Sequence, residues 1–193
     1  MKKELKIKDL NPIYDLDLRS STNFQPNHFF GDKRFYNIDF DVILDNGTKL
    51  QRDYVWTLEQ KQKLIISMLC GMQLPPIYCI VFEDDINVGG YRSDKVYKII
   101  DGKQRLSTIR DFMENKFPIT ANNSEYYYSD LDNSRDFLKY KIDTYSLDFR
   151  IVYEYPDAKL GDEKYVKLFN YVNFGGTPQE KEHMDNLLES LKK

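Results

Sequence analysis

The segment Asp101-Gly102-Lys103-Gln104-Arg105 has the residue types of a phosphate-binding turn. An apolar run at 96–100 precedes it, and apolar residues at helical spacing follow it. We therefore predict a strand, a glycine turn and a helix over 104–115. The free N–H groups at the start of such a helix, together with the helix dipole, form a site for an anion.

The side chains of this segment add charge and hydrogen-bonding groups to the turn. Gly102 lets the backbone approach a ligand closely. Lys103 and Arg105 supply positive charge, and an arginine can hold a phosphate through two parallel hydrogen bonds. Asp101 can hold a metal ion or orient a water, and Gln104 can orient a nucleophile or a phosphate oxygen. The alternative is an ordinary Asp-Gly turn in which Arg105 pairs with a nearby carboxylate.

Two other segments carry polar residues beside glycine or aromatic residues. In Gln51-Arg52-Asp53-Tyr54-Val55-Trp56, alternation along a strand predicts Arg52 and Tyr54 on one face. The alternative places the aromatic residues in the core and Arg52 in a salt bridge. The segment Asn173-Phe174-Gly175-Gly176 is the third candidate. Its local pattern favours the glycine-terminated end of a helix over a functional site.

Other kinds of chemistry find little support in the sequence. The two histidines, His28 and His183, lie near opposite ends of the chain, and Cys70 and Cys79 do not have a metal-ligand spacing. No G-x-x-x-x-G-K-[ST] loop and no G-x-S-x-G motif are present. Two cysteines are too few for a disulfide framework, so a reducing cytoplasm fits best.

Length and charge limit the class of protein further. A chain of 193 residues predicts one domain with a small helical appendage. The formal net charge of -3 gives no global basic field, so tight binding of DNA by the whole surface is not expected. No run of 18 apolar residues exists and the first residues lack an apolar signal core, so we expect a cytoplasmic protein with no membrane partner.

The spacing of apolar and turn residues predicts the elements that position these motifs. Alternation around Asp45-Asn46-Gly47 predicts a hairpin over 38–56. Thr57 and Gln60 form a capping box that opens a helix, and Gly71 is placed to end it. The remaining expected elements are strands at 77–82, 96–100 and 147–155, helices at 104–115, 162–173 and from Thr177 onward, and loops at 23–31 and 83–94.

Together these elements predict an α+β fold, with a small mixed β-sheet, packed helices and C-terminal helices. We expect a polar N-terminal lead-in at 1–35, a core at 36–160 and a C-terminal helical segment at 161–193.

The motifs also stand in a familiar order. The sequence resembles the N-terminal domain of GmrSD-type restriction endonucleases, which have Q-R-x-Y-V-W, G-x-x-[IL]-P-P-I, D-G-[QK]-Q-R-L-[ST]-T and N-x-G-G segments. Here these segments stand at 51–56, 71–77, 101–108 and 173–176. The resemblance spans residues 36–183.

The resemblance implies a ParB/sulfiredoxin-like fold and a nucleotide-phosphate site, linked in some relatives to NTP hydrolysis in bacterial or phage defence against foreign DNA. It implies catalytic roles for Asp101, Gln104 and Arg105, with Asp101 as a ligand of Mg²⁺ if the reaction is hydrolytic. It implies a nucleotide-binding set formed by Gln51, Arg52, Gly102, Lys103, Arg105, Ser107, Thr108, Asn173, Gly175 and Gly176.

The sequence departs from the family pattern in two places. Lys103 replaces the commoner glutamine and adds a positive charge. Full-length relatives carry a C-terminal His-Asn-His nuclease domain, and nothing up to Lys193 resembles one. We therefore expect a nucleoside triphosphate as ligand, its base unspecified, and hydrolysis without intrinsic DNA cleavage. DNA, a separate nuclease or a defence-complex protein are the other expected partners. The alternatives are a non-catalytic nucleotide or DNA sensor and a phage-encoded inhibitor that acts by protein contact.

Overall fold

The computed structural model describes residue 16 and residues 21–31, 36–82, 96–133, 136–155 and 159–174. The strands are β1 Ser21–Phe24, β2 Asn37–Asp39, β3 Ile77–Phe82, β4 Val96–Asp101, β5 Ile119–Ala121, β6 Ser124–Tyr126 and β7 Leu147–Glu154. The helices are α1 Pro26–Phe30, α2 Leu58–Leu69, α3 Lys103–Met113, α4 Leu138–Asp143 and α5 Gly161–Phe174, with a 3-10 helix at Tyr128–Asn133.

A five-stranded mixed sheet forms the centre of the described structure, in the order β1-β7-β3-β4-β2. The β1–β7 and β3–β4 pairs are antiparallel, whereas β3–β7 and β2–β4 are parallel. Strand β3 has a neighbour on each side, which suits its nearly all-apolar sequence. The predicted α+β fold with a small mixed sheet and packed helices is therefore confirmed.

The sheet separates two hydrophobic cores because successive side chains of a strand point to opposite faces. In β3, Cys79 and Val81 belong to the first core and Ile80 to the second. Helices α2 and α3 pack in the first core, and α5 packs in the second. Both cores contain residues of β4 (Ile99 in the first and Ile100 in the second), so both reach the end of this strand.

Helix α2 begins and ends where the sequence predicts. The N–H of Thr57 donates to Oε1 of Gln60 at 2.9 Å, and the N–H of Gln60 donates to Oγ1 of Thr57 at 3.3 Å. Gly71 has a φ of 71°, in the left-handed region that ends many helices. The capping box and the glycine stop are both confirmed.

The predicted hairpin over 38–56 is wrong in its strands. Its turn is present, because the N–H of Gly47 donates to the carbonyl of Leu44 at 2.8 Å, but the limbs share only the isolated bridge between Ile43 and Lys49. Residues 37–39 instead pair with β4, and residues 52–57 have no regular secondary structure. Pairing with β4 takes the first limb into the main sheet and leaves the return limb without a strand partner.

The loop predicted over 23–31 is also wrong. Residues 21–24 form the edge strand β1, and residues 26–30 form α1. Phe24 and Phe29 lie in the first core with their ring centroids 5.3 Å apart in an edge-to-face arrangement. The aromatic residues that looked like loop residues are therefore core residues.

Several predictions fall outside the described residues. They are the loop at 83–94, the helix from Thr177 onward, the positions of Gly175, Gly176 and His183, and nearly all of residues 1–20. The boundaries at residues 35 and 160 remain predictions. Within the described ranges, no helix has the length and apolar character needed to cross a bilayer.

Candidate functional site

A cavity of about 210 Å³ lies where β4 ends and α3 begins. It is lined by Gln51, Arg52, Trp56, Asp101, Gly102, Lys103, Gln104, Arg105, Phe169 and Asn173. Three segments that are far apart in sequence, at 51–56, 101–105 and 169–173, therefore meet around one cavity. Eight residues of the predicted site line it.

Gly102 makes the turn between β4 and α3. Its φ of 102° lies in the left-handed region, and an added Cβ would lie 2.3 Å from Cδ1 of Ile77. No side chain of the described residues caps α3, and the first bond inside the helix runs from the N–H of Leu106 to the carbonyl of Gly102. The preceding N–H groups at the start of α3 are therefore placed to meet an anion in the cavity.

Arg105 is held inside the fold. Its Nη2 lies 2.7 Å from Oδ2 of Asp101 and donates to the carbonyl of Pro76 at 3.2 Å, while Nη1 donates to the carbonyl of Pro75. Burial lowers the pKa of the guanidinium, against the opposing effect of Asp101. The pairing of Arg105 with a nearby carboxylate, which was the alternative from the sequence, is the arrangement observed.

Lys103 is also paired. Its side chain is buried, and Nζ lies 2.7 Å from Oδ1 of Asp41, whose side chain is 55% exposed. The hydrogen bond from Lys103 is the main cause that lowers the pKa of Asp41. The ammonium of Lys103 thus ties the start of α3 to the segment that follows β2.

Glutamine side chains hold the irregular segment 51–56. Nε2 of Gln51 donates to the carbonyl of Ile99 in β4 at 3.1 Å. Oε1 of Gln104 accepts from the N–H of Val55 at 3.0 Å, and Nε2 of Gln104 donates to the carbonyl of Asp53 at 3.1 Å. These bonds replace the strand pairing that the sequence pattern predicts for this segment.

Arg52 differs from the other cations of the cavity. Its side chain is exposed, and the described residues give it no hydrogen-bond or ion-pair partner. Its guanidinium and the start of α3 are therefore the positive groups of the cavity that remain available to a ligand.

The other described residues of the predicted site lie partly at the cavity and partly inside the fold. Asn173 lines the cavity and donates to the carbonyl of Phe169 at 2.8 Å. Ser107 and Thr108 are buried in α3 and do not line the cavity. The hydroxyl of Thr108 lies 2.7 Å from the hydroxyl of Tyr54.

The predicted site left out Trp56 and Phe169, two aromatic residues of the cavity wall. Trp56 stands in the same short segment as Gln51 and Arg52, and this spacing is the signal that could have found it. Phe169 lies four residues before Asn173, one helical turn away on the same face of α5.

The family model for the N-terminal domain of the GmrSD restriction endonuclease matches residues 43–192. The chain belongs to this family. The match includes all three segments of the cavity, and it confirms the family predicted from the motifs. It also identifies the chain as related to restriction and defence. No curated protein and no solved structure matches the chain, so the ParB/sulfiredoxin-like relationship remains a prediction.

Gln51, which lines the cavity, has one buried oxygen without a hydrogen-bond partner among the described residues. Oε1 of Gln51 accepts no hydrogen bond from the described residues, although its own Nε2 is bonded to β4. A buried acceptor without a donor is unfavourable.

The described part of the GmrSD domain offers little for a metal ion. No group of three or more His, Cys, Asp or Glu side chains is placed there to hold one. The cavity wall has one carboxylate, Asp101, which is already paired with Arg105. A Mg²⁺ ion fits this wall only as a nucleotide complex, in which phosphate oxygens and water supply most ligands.

Proposed function

We propose that this GmrSD N-terminal domain binds the phosphate groups of a nucleotide in the cavity between segments 51–56, 101–105 and 169–173. The observation that carries the proposal is the uncapped start of α3, which lies in a cavity together with the exposed Arg52. A helix start carries about half a positive charge, and Arg52 adds a full one.

Two cations of the cavity are already paired with carboxylates, so other groups would have to bind the ligand. Arg105 and Lys103 each lie 2.7 Å from a carboxylate, so most of their charge is already balanced. Arg52 and the N–H groups of α3 would then hold the phosphate. Trp56 and Phe169 offer flat apolar surfaces against which a base or sugar can pack.

Hydrolysis of a nucleoside triphosphate is the second part of the proposal. Asp101 is the carboxylate of the cavity wall and would orient the attacking water or contact the Mg²⁺ of a nucleotide complex. Arg52 and the start of α3 would stabilise charge on the transferred phosphoryl group.

A non-catalytic nucleotide sensor is the competing function. One observation favours it: the Asp101–Arg105 ion pair and the two backbone bonds of Gln104 engage the three residues predicted to be catalytic. A domain of this kind would pass nucleotide binding on to DNA or to a separate nuclease.

Calorimetry with ATP, GTP and CTP tests the proposal on the wild type and on Arg52→Ala. Because a charged hydrogen bond is lost, we expect binding to weaken about ten- to hundredfold. Arg150→Ala is the matched control, since Arg150 pairs with Asp148 at 3.0 Å and does not line the cavity. It should bind like the wild type.

The proposal fails if the wild type binds none of these nucleotides. It also fails if the two arginine variants bind equally well. Phosphate release from the same nucleotides then separates hydrolysis from sensing, because a sensor would bind without turnover.

A further inference from the structure

The segment at 51–56 carries side chains that line the cavity, but its backbone is not part of a strand. Arg52 and Trp56 line the cavity from a backbone that has no regular secondary structure. Such a backbone keeps conformational freedom unless other bonds restrict it, and that freedom opposes ordered ligand binding. Something outside the segment must therefore hold it in place.

Gln104 supplies this restraint from the first turn of α3. Its amide accepts from the N–H of Val55 and donates to the carbonyl of Asp53, at 3.0 and 3.1 Å. The amide thus bonds both sides of Tyr54, as a neighbouring strand would. On the other side of Arg52, the amide of Gln51 is bonded to the carbonyl of Ile99.

We propose that Gln104 is a positioning residue that holds Arg52 and Trp56 at the cavity, and that it does not orient a nucleophile or a phosphate oxygen. The hydrogen bonds of both polar atoms to the backbone of the segment fix the orientation of the amide. The part of this proposal that concerns ligand binding rests on the proposed nucleotide site. The part that concerns the segment can be tested without a ligand.

The test variant is Gln104→Glu. A carboxylate at this position still accepts from Val55, but it cannot donate to the carbonyl of Asp53 and would repel it. A protonated carboxyl group restores the donor. The bond to Asp53 would therefore be absent at neutral pH and return on acidification.

Trp56 reports on the segment directly, because it is the single tryptophan of the chain. We expect the ligand-free Gln104→Glu variant to show altered Trp56 emission and stronger acrylamide quenching at pH 7. Both should return towards wild-type values at about pH 3.5, where most carboxyl groups of an ordinary glutamate are protonated. The other charged groups of the cavity wall are Arg52, Asp101, Lys103 and Arg105, and Asp53 pairs with Lys49, so the wild type is titrated in parallel.

Gln60→Glu is the matched control for the added charge. Oε1 of Gln60 only accepts a hydrogen bond, from the N–H of Thr57, and a glutamate performs this role equally well. The control should show wild-type Trp56 emission at both pH values. If Gln104→Glu behaves like the control at pH 7, or if its altered emission does not reverse on acidification, the positioning role is wrong.

Nucleotide binding is the second measurement on the Gln104→Glu variant. We expect Gln104→Glu to bind about tenfold more weakly at pH 7 and to recover on acidification. The double variant with Arg52→Ala should lose less binding than the sum of the two single losses, because part of the effect of Gln104 is exerted through Arg52. Additive losses would instead show that Gln104 contacts the ligand.

The two proposals can fail separately. If the wild type binds no nucleotide, the proposed function is wrong, and the pH dependence of Trp56 still decides whether Gln104 holds the segment.

Discussion

At the scale of single residues, two arginines of the cavity have different surroundings. Arg105 is bonded to one carboxylate and to two backbone carbonyls, whereas Arg52 is exposed. The turn motif predicted a phosphate contact for Arg105, and the family resemblance placed Arg52 in the same nucleotide-binding set. We therefore expect Arg105 to contribute mainly to stability and Arg52 to contribute to the proposed ligand binding.

Gly102 allows a direct test of the turn that opens α3. Gly102→Ala should lower the free energy of unfolding by about 1–3 kcal/mol, because the left-handed backbone strains an alanine and its Cβ would crowd Ile77. Urea denaturation measures the change. Gly47→Ala is the control, since Gly47 has a φ of 81° and open space around it. Equal losses in the two variants would show that crowding adds nothing.

The Lys103–Asp41 pair predicts a difference between its two members. Asp41→Asn leaves a buried ammonium without its carboxylate and should cost about 1–3 kcal/mol. Lys103→Met leaves an exposed carboxylate and should be nearly neutral, because an apolar side chain suits the buried site. Urea denaturation at pH 7 compares them, and a larger loss for Lys103→Met would contradict the assignment.

The same pair gives a pH dependence. The pKa of Asp41 in the folded protein lies below 3.8, so the carboxylate contributes stability above pH 3.8 and loses it as the pH falls through the lowered pKa. The difference in unfolding free energy between the wild type and Asp41→Asn should therefore shrink in acid. A difference that stays constant down to pH 2 would contradict this.

At the scale of elements, the turn between α2 and β3 is joined to α3 through Arg105. Its guanidinium reaches the carbonyls of Pro75 and Pro76, and the hydroxyl of Tyr145 accepts from the N–H of Leu74 at 3.0 Å. These side chains fix a proline-containing stretch whose own backbone forms no helix or strand. The start of α3 thereby keeps its place beside the sheet.

Arg105→Ala should therefore lower the free energy of unfolding by about 2–4 kcal/mol, because several hydrogen bonds and a mostly buried ion pair are lost. Arg52→Ala should change it by less than about 0.5 kcal/mol, since Arg52 is exposed. Urea denaturation of both variants checks this separation. Similar stabilities for the two variants would show that the bonds of Arg105 add little.

The elements also show how far local sequence patterns reach. The capping box at Thr57 and the glycine at 71 are local signals, and both were predicted correctly. The pairing of residues 37–39 with β4 and the burial of Phe24 depend on partners distant in sequence. Local alternation cannot specify those partners, so the hairpin and the loop over 23–31 were predicted wrongly.

The candidate site follows the same rule. The family resemblance implied that segments 51–56 and 101–105 and residue 173 line one cleft. All three line the observed cavity. The local patterns did not reveal that Lys103 faces Asp41, that Arg105 faces two proline carbonyls, or that Gln104 holds residues 53–55. Each of these contacts joins residues about 30 to 60 positions apart, and only the folded arrangement selects them.

At the scale of the whole molecule, the net charge of -3 means that the general surface does not attract an anionic ligand and that a local site has to do so. An anionic ligand gains nothing from the overall field of this domain. In the proposed site, the attraction would come from Arg52 and the start of α3. Binding should accordingly depend on that small region rather than on the sum of surface charges.

The location of the cavity has a consequence for the way the domain comes apart. Trp56 packs against the first core, Phe169 belongs to the second, and both walls meet at the cavity. A bound molecule would contact side chains that belong to both cores. Since any ligand of the native state raises the melting temperature by mass action, an occupied cavity would raise the temperature at which the domain unfolds.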